Sequence, residues 1–215
     1  MSLDVQVAIT RARVGSGMLR QHELLVLDEG RTVVLATALS APRLWGYMLD
    51  AAVGGFLEGL ERPHDGRAST RLHQAFDGAQ KRTRSRVEGL IERRPSDVGL
   101  LAMSLDDNIL HVLCLGPARA YLHRRRAIRR LSPRDDRAEG VLKAAPTWCA
   151  EEVEAGDLLF AGSLSAFSED SLSSVRAQLE GGYLLSPRKI VEELNRSAAN
   201  AGIGAAAFSF RASKF

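Results

Sequence analysis

The sequence is poor in cysteine, poor in aromatics and without a long apolar run. Two cysteines in 215 residues, Cys114 and Cys149, fall short of a disulfide framework. Both lie in or beside apolar segments, so the reading is a pair of buried thiols in a reducing compartment. No apolar stretch approaches the roughly eighteen residues of a membrane span. The start, Met1-Ser2-Leu3-Asp4-Val5, lacks the basic and apolar regions of a secretory signal, and a cytoplasmic protein is expected. Charge of one sign is also missing. Against 29 Lys and Arg stand 26 Asp and Glu, and the formal charge of +3 permits an acidic partner without requiring one. His22, His64, His73, His111 and His123 show no metal-ligand spacing with either cysteine, which excludes a zinc site of the usual kind. No Gly-x-Ser-x-Gly is present, so a serine hydrolase has no nucleophile turn. From Arg31 through Leu49 there is no acidic residue at all.

What is present reads as an ordinary globular chain, 45% hydrophobic and 26% charged, long enough for one substantial core in a single domain, 1–215. Its centre is residues 97–131. Apolar runs at 98–105 and 109–115 flank Asp106-Asp107-Asn108, a hairpin with strands buried on both faces. Gly116-Pro117 breaks the second strand, and residues 118–123 and 127–131 continue as two more, predicting one antiparallel meander. Earlier strands fall at 5–10, 24–27 and 32–37, the last two joined by Asp28-Glu29-Gly30. Apolar stripes predict helices over 42–60 and 68–93, with Gly54, Gly55 and Gly59 marking close packing in the first. Strands at 147–153 and 158–161 follow. Helices then begin at Ser168 and at Ser186-Pro187, and a strand over 205–210 comes last. This order does not alternate as a parallel α/β fold would. It predicts an α+β protein, a four-layer α-β-β-α sandwich of two antiparallel sheets flanked by helix pairs.

The order and spacing of these blocks resemble a PPM-type, PP2C-like serine/threonine phosphatase. In that family the central hairpin is followed by Gly-Asp-Ser-Arg, a Tyr-Leu strand and a Leu-Thr-x-Asp-His-type segment. Here stand Gly116-Pro117-Ala118-Arg119, Tyr121-Leu122 and, after Leu131, Ser132-Pro133-Arg134-Asp135-Asp136. Near the start, Gly17-Met18-Leu19-Arg20-Gln21-His22-Glu23 resembles the family's Gly-x-x-Arg-x-x-Asn-Glu-Asp segment. The resemblance covers nearly the whole chain, from Val7 to Phe210.

The resemblance implies hydrolysis of phosphoserine and phosphothreonine by water bridging two Mg²⁺ or Mn²⁺ ions, held by aspartates at strand ends. On this mapping those aspartates fall at Ala38, Leu164 and Ile203, while Pro117 and Ala118 replace the Asp-Ser of the central block. None supplies a side-chain carboxylate, and without acids between residues 31 and 49 a small register slip restores nothing. The expectation is therefore a site without metal or other cofactor, and a pseudophosphatase that works as a binding or regulatory module. By fold analogy alone it would belong to bacterial signalling. The partner expected is a protein, phosphorylated or acidic, held by arginines; homo-oligomerisation is the alternative. Arg20 matches the family's phosphate-holding arginine, and Arg43 and Arg119 lie nearest the altered cleft, although Arg20 reads more readily as a surface side chain and Arg119 as a brace of the meander. Arg124, Arg125 and Arg126 are either a solvated hairpin tip or an electropositive patch. Stacking aromatics are not interleaved with them, which argues against nucleic acid. The competing activity is a weak phosphatase using displaced acids such as Glu23, Asp135, Asp136 or Asp170.

Overall fold

The computed structural model describes residues 2–90, 96–134 and 139–213. Twelve strands and four α-helices follow one another as β1 (Ser2–Thr10), β2 (Ala12–Val14), β3 (Gly17–Leu19), β4 (His22–Leu27), β5 (Thr32–Ala38), α1 (Trp45–Leu60), α2 (Ala68–Glu88), β6 (Val98–Asp106), β7 (Ile109–Leu115), β8 (Ala118–Arg124), β9 (Ala127–Arg130), β10 (Thr147–Glu152), β11 (Leu158–Ser163), α3 (Glu169–Glu180), α4 (Pro187–Ala201) and β12 (Ala205–Ser213). β2 and β3 form a small hairpin; the other strands make two five-stranded sheets, ordered β1-β12-β11-β8-β9 and β10-β7-β6-β5-β4. All pairings are antiparallel.

Strand alternation builds the layers. On β6, Leu100 and Ala102 pack with Met48, Leu49 and Phe56 of α1 and with Leu72 of α2. Leu101, Met103 and Leu105 point the other way, against Leu159, Phe208 and Phe210 of the second sheet. Phe160 and Ala207, on the far face of that sheet, meet Val175 of α3 and Ile190, Val191 and Leu194 of α4. Three apolar clusters thus separate four layers, α-β-β-α, as expected. Because both faces of the inner strands are covered, their sequences are near-continuous apolar runs rather than alternating ones. Packing between α1 and α2 is close: a Cβ on Gly55 would collide with the Gly78 carbonyl, and one on Gly59 with the Gln74 carbonyl.

Two expectations need correction. The segments over 98–131 are not one meander. β6 and β7 pair in one sheet and β8 and β9 in the other, so Gly116-Pro117 carries the chain across the sandwich. Gly116 permits this with φ +90° and with its Cα close against Gly99. The second helix stops at Glu88 instead of Arg93, since Gly89 follows as its C-cap; the expected inward Ile91 lies outside the described residues. The first helix opens with a tight 3₁₀ turn, Pro42–Leu44. Among the described residues no helix is long and apolar enough to cross a membrane.

Candidate functional site

The crossing from β7 to β8 creates a cleft at one end of the sandwich, where several strands finish together. Gln21 and His22 enter at the start of β4, Thr37 and Leu39 at the end of β5 and just beyond it, Pro117 from the crossing, Ser163 from the end of β11, Leu164 and Ser165 from the 3₁₀ turn after it, and Ile203 from the turn between α4 and β12. The cavity they line measures ≈ 330 Å³. Backbone bonds hold its walls. Leu164 N donates to Pro117 O at 2.8 Å, and Leu39 N donates to Asp97 O at 2.9 Å. Gly202, in the left-handed region at φ 67°, ends α4 and turns the chain to present Ile203, which is half exposed.

The polar floor is a connected set of neutral groups. His22 stands opposite Thr37 across the β4–β5 pair, and its Nδ1 lies 3.0 Å from Thr37 Oγ1. Ser165 Oγ donates to Gly204 O at 2.7 Å and lies 3.0 Å from Ser163 Oγ, which accepts from Ala206 N at 3.1 Å. His22 is 2% exposed, and its Nε2, itself buried, has no hydrogen-bond partner of ordinary geometry among the described residues. Burial lowers its pKa to about 4, against the opposing pull of the Gly204 carbonyl, so the imidazole is neutral at ordinary pH.

Of the positions expected to mark a lost metal site, Pro117, Leu164 and Ile203 line this cleft. Ala38 does not. Alternation along β5 turns its Cβ to the helix layer with Val34 and Ala36, and leaves Thr37 and Leu39 facing the cavity. Sequence reasoning missed His22 and Thr37. The signal was available in the hairpin register: counting outward from Leu27 opposite Thr32 brings His22 opposite Thr37.

The arginines are elsewhere. Arg20, Arg43 and Arg119 do not line the cleft. Arg20 bridges Glu23 at 2.6 Å and Asp50 at 2.5 Å; Arg43 sits exposed in the 3₁₀ turn before α1; Arg119 stands on β8 opposite Gly162. Arg124, Arg125 and Arg126 occupy the β8–β9 tip, at the opposite end of the sandwich. There Arg124 grips the buried Asp157, with Nε 2.9 Å from Oδ1 and an Nη 2.6 Å from Oδ2, and a further 2.6 Å bond reaches Glu152 O. Arg125 pairs with Glu154 at 3.0 Å. The structure therefore does not gather the six arginines into one site.

A pair of Mg²⁺ or Mn²⁺ ions requires several anionic oxygens. The cleft offers hydroxyls, an amide and one imidazole, and among the described residues no carboxylate lines it. Among the described residues no group of three or more His, Cys, Asp or Glu could hold an ion. Nearby acids are engaged. Glu23 is paired with Arg20, and Asp97 accepts from the backbone N–H groups of Val98, Gly140 and Leu142. Burial raises the Asp97 pKa, and those three donors oppose the rise. Asp170 is exposed in the first turn of α3, and Asp135 and Asp136 lie outside the described residues. The donor set does not fit the metals that the fold family uses.

No protein-family model matches the chain, and none of the curated proteins matches it. Solved structures do. The Mycobacterium tuberculosis serine/threonine phosphatase PstP/Ppp superposes with a TM-score of 0.79 at 15% identity, over 100% of both chains. The catalytic domain of serine/threonine protein phosphatase PstP in complex with 2 manganese ions gives 0.75 at 16%, over 99% of both. PppA of Pseudomonas aeruginosa, described as a key regulatory component of T6SS, gives 0.77 at 17%, over 99% of this chain and 98% of the other. With its strand order, its four layers and these full-length superpositions, the chain has the fold of the PP2C-like, PPM-type serine/threonine phosphatases.

Proposed function

We propose that this protein is a catalytically inactive PP2C-like protein that acts as a binding or regulatory module for a protein partner. One observation carries the reading. The cleft at the strand ends is lined by Leu39, Pro117, Leu164 and Ile203 among neutral polar groups, with no carboxylate among the described residues. Water attack on phosphorus by the family route needs metal ions both to generate hydroxide and to neutralise the developing charge. A cleft without anionic ligands supplies neither, whereas a preformed concave surface with an apolar rim remains suited to docking a chain.

The test is turnover of p-nitrophenyl phosphate and of a phosphothreonine peptide with saturating Mn²⁺. The expected rate equals that of the protein-free control and is unchanged by EDTA. Robust turnover that EDTA abolishes would overturn the proposal. It would favour instead a weakly active phosphatase with displaced acids, for which Glu23, the neighbour of His22, is the first to replace.

A further inference from the structure

Among the described residues the two five-stranded sheets end on four edge strands, β1, β9, β10 and β4, and these are not equally protected. β9 is short and carries Arg129 and Arg130; β10 carries Glu151 and Glu152; β4 carries Glu23 and runs into Asp28 and Glu29. Charge along an edge deters pairing with another chain. β1 differs. It is nine residues long, and from Val5 to Thr10 it has no charged side chain. Val7 and Ile9 are 44% and 45% exposed and share one face of the strand. Val26 of β4, 44% exposed, borders the same gap between the sheets, since its strand neighbour Leu24 packs into the core there.

The outer main chain of β1 is open as well. On β12, Ala212 N donates to Asp157 O, and Ala206 N donates to Ser163 Oγ, so the even-numbered residues turn their main-chain groups toward β11. The odd-numbered ones then face β1, where Ser209 and Ala207 stand opposite Gln6 and Ala8. That leaves the N–H and C=O groups of Val5, Val7 and Ile9 pointing away from the sheet.

We propose that this edge pairs with a second copy of the chain, β1 against β1, antiparallel about a two-fold axis at Val7. In that register Val7 meets Val7 and Val5 meets Ile9 of the second copy. Exchange between these residues makes about six main-chain hydrogen bonds, and the apolar side chains line up on one face. The charge pattern selects this occupant. The strand starts with an exposed acid, Asp4, and an exposed base, Arg11, follows its end. Asp4 takes only the Gln6 amide, at 3.1 Å, and among the described residues neither Asp4 nor Arg11 is in an ion pair. Antiparallel self-pairing sets Asp4 opposite Thr10 of the second copy, beside its Arg11, and symmetry repeats the contact. Parallel pairing would set acid against acid and base against base. One paired strand is a small interface, so the dimer should dissociate on dilution.

The inference does not depend on whether the cleft is inactive. Its test is sedimentation equilibrium of the full chain up to about 300 µM, at low salt, where exposed charges act most strongly. A monomer–dimer equilibrium is expected. Val7→Lys, which gives β1 the protection that β9 has, should weaken it at least about ten-fold. Arg11→Asp lies beyond the strand and keeps the reading should Val7→Lys fail to fold; it should weaken the dimer about five-fold, because two symmetry-related contacts change sign. Adding Asp4→Arg to Arg11→Asp should restore it. A chain that stays monomeric throughout, as it would if only a foreign strand fits this edge, overturns the proposal. So does an assembly of another size, a dimer that Arg11→Asp leaves unchanged, or a charge swap that restores nothing.

Discussion

The two ends of the sandwich use polar residues in opposite ways. At the β8–β9 tip, charge is concentrated and mutually bound: Arg124 on buried Asp157, Arg125 on Glu154, Arg129 on Glu151. Among the described residues that line the cleft, formal charge is absent and the polar groups are hydroxyls, an amide and an imidazole held neutral by burial. The arginines conspicuous in the sequence include Arg124, Arg125 and Arg129, which are held in internal ion pairs where they are dense. The end that holds the cleft is the one poor in charge. Where charges are dense they can be committed to one another, so charge density alone does not mark a binding surface.

Removing Arg124 should break this contrast most forcefully. Arg124→Ala leaves a carboxylate that is only 3% exposed without its cation, and a loss of about 3 kcal/mol in urea unfolding is expected. A loss below about 1 kcal/mol would mean that the tip is not held as described. The cleft end should answer to pH. The folded protein keeps His22 unprotonated down to about 4, while the unfolded chain binds that proton below about 6.5. Stability is then complete above pH 6.5 and falls as pH drops through the window toward 4, by about 2 kcal/mol between pH 7 and 5. His123, whose pKa is lowered by burial and by Arg211, adds in the same sense. Chemical denaturation of the wild type and of His22→Gln at both pH values checks this, and the variant should lose most of the dependence. The smallest effect belongs to Arg125→Ala. Its side chain is 81% exposed, and its pair with Glu154 should contribute about 0.3 kcal/mol or less, an amount that added salt removes.

The layers were legible because covered strands leave long apolar runs, as at 98–105 and 109–115, and because Ser168 and Ser186 announce their helices. Both serines accept from the backbone N–H three residues on. The sheet to which each strand belongs was not legible. Strands apolar on both faces carry no period-two signal, so nothing local distinguishes a turn within one sheet from a crossing between two, and Gly116-Pro117 serves either. In the cleft, the resemblance to the phosphatase family, and no local pattern, pointed to Pro117, Leu164, Ile203 and Ala38; the first three line the cavity, while alternation along β5 turns Ala38 away and leaves its neighbours facing it. His22 escaped notice because its role comes from a partner on the next strand rather than from any neighbour in sequence.

The longest-range pairing in the chain has a temporal consequence. β1 lies beside β12 with Ser2 opposite Ser213 and Thr10 opposite Ala205. A chain emerging from the ribosome therefore presents its first strand long before that strand's neighbour has been made. Until then β1 is an unzipped border that can stick to other chains, and closing so large a loop makes the final step slow. Productive maturation should thus depend on shielding β1 until β12 has been synthesised.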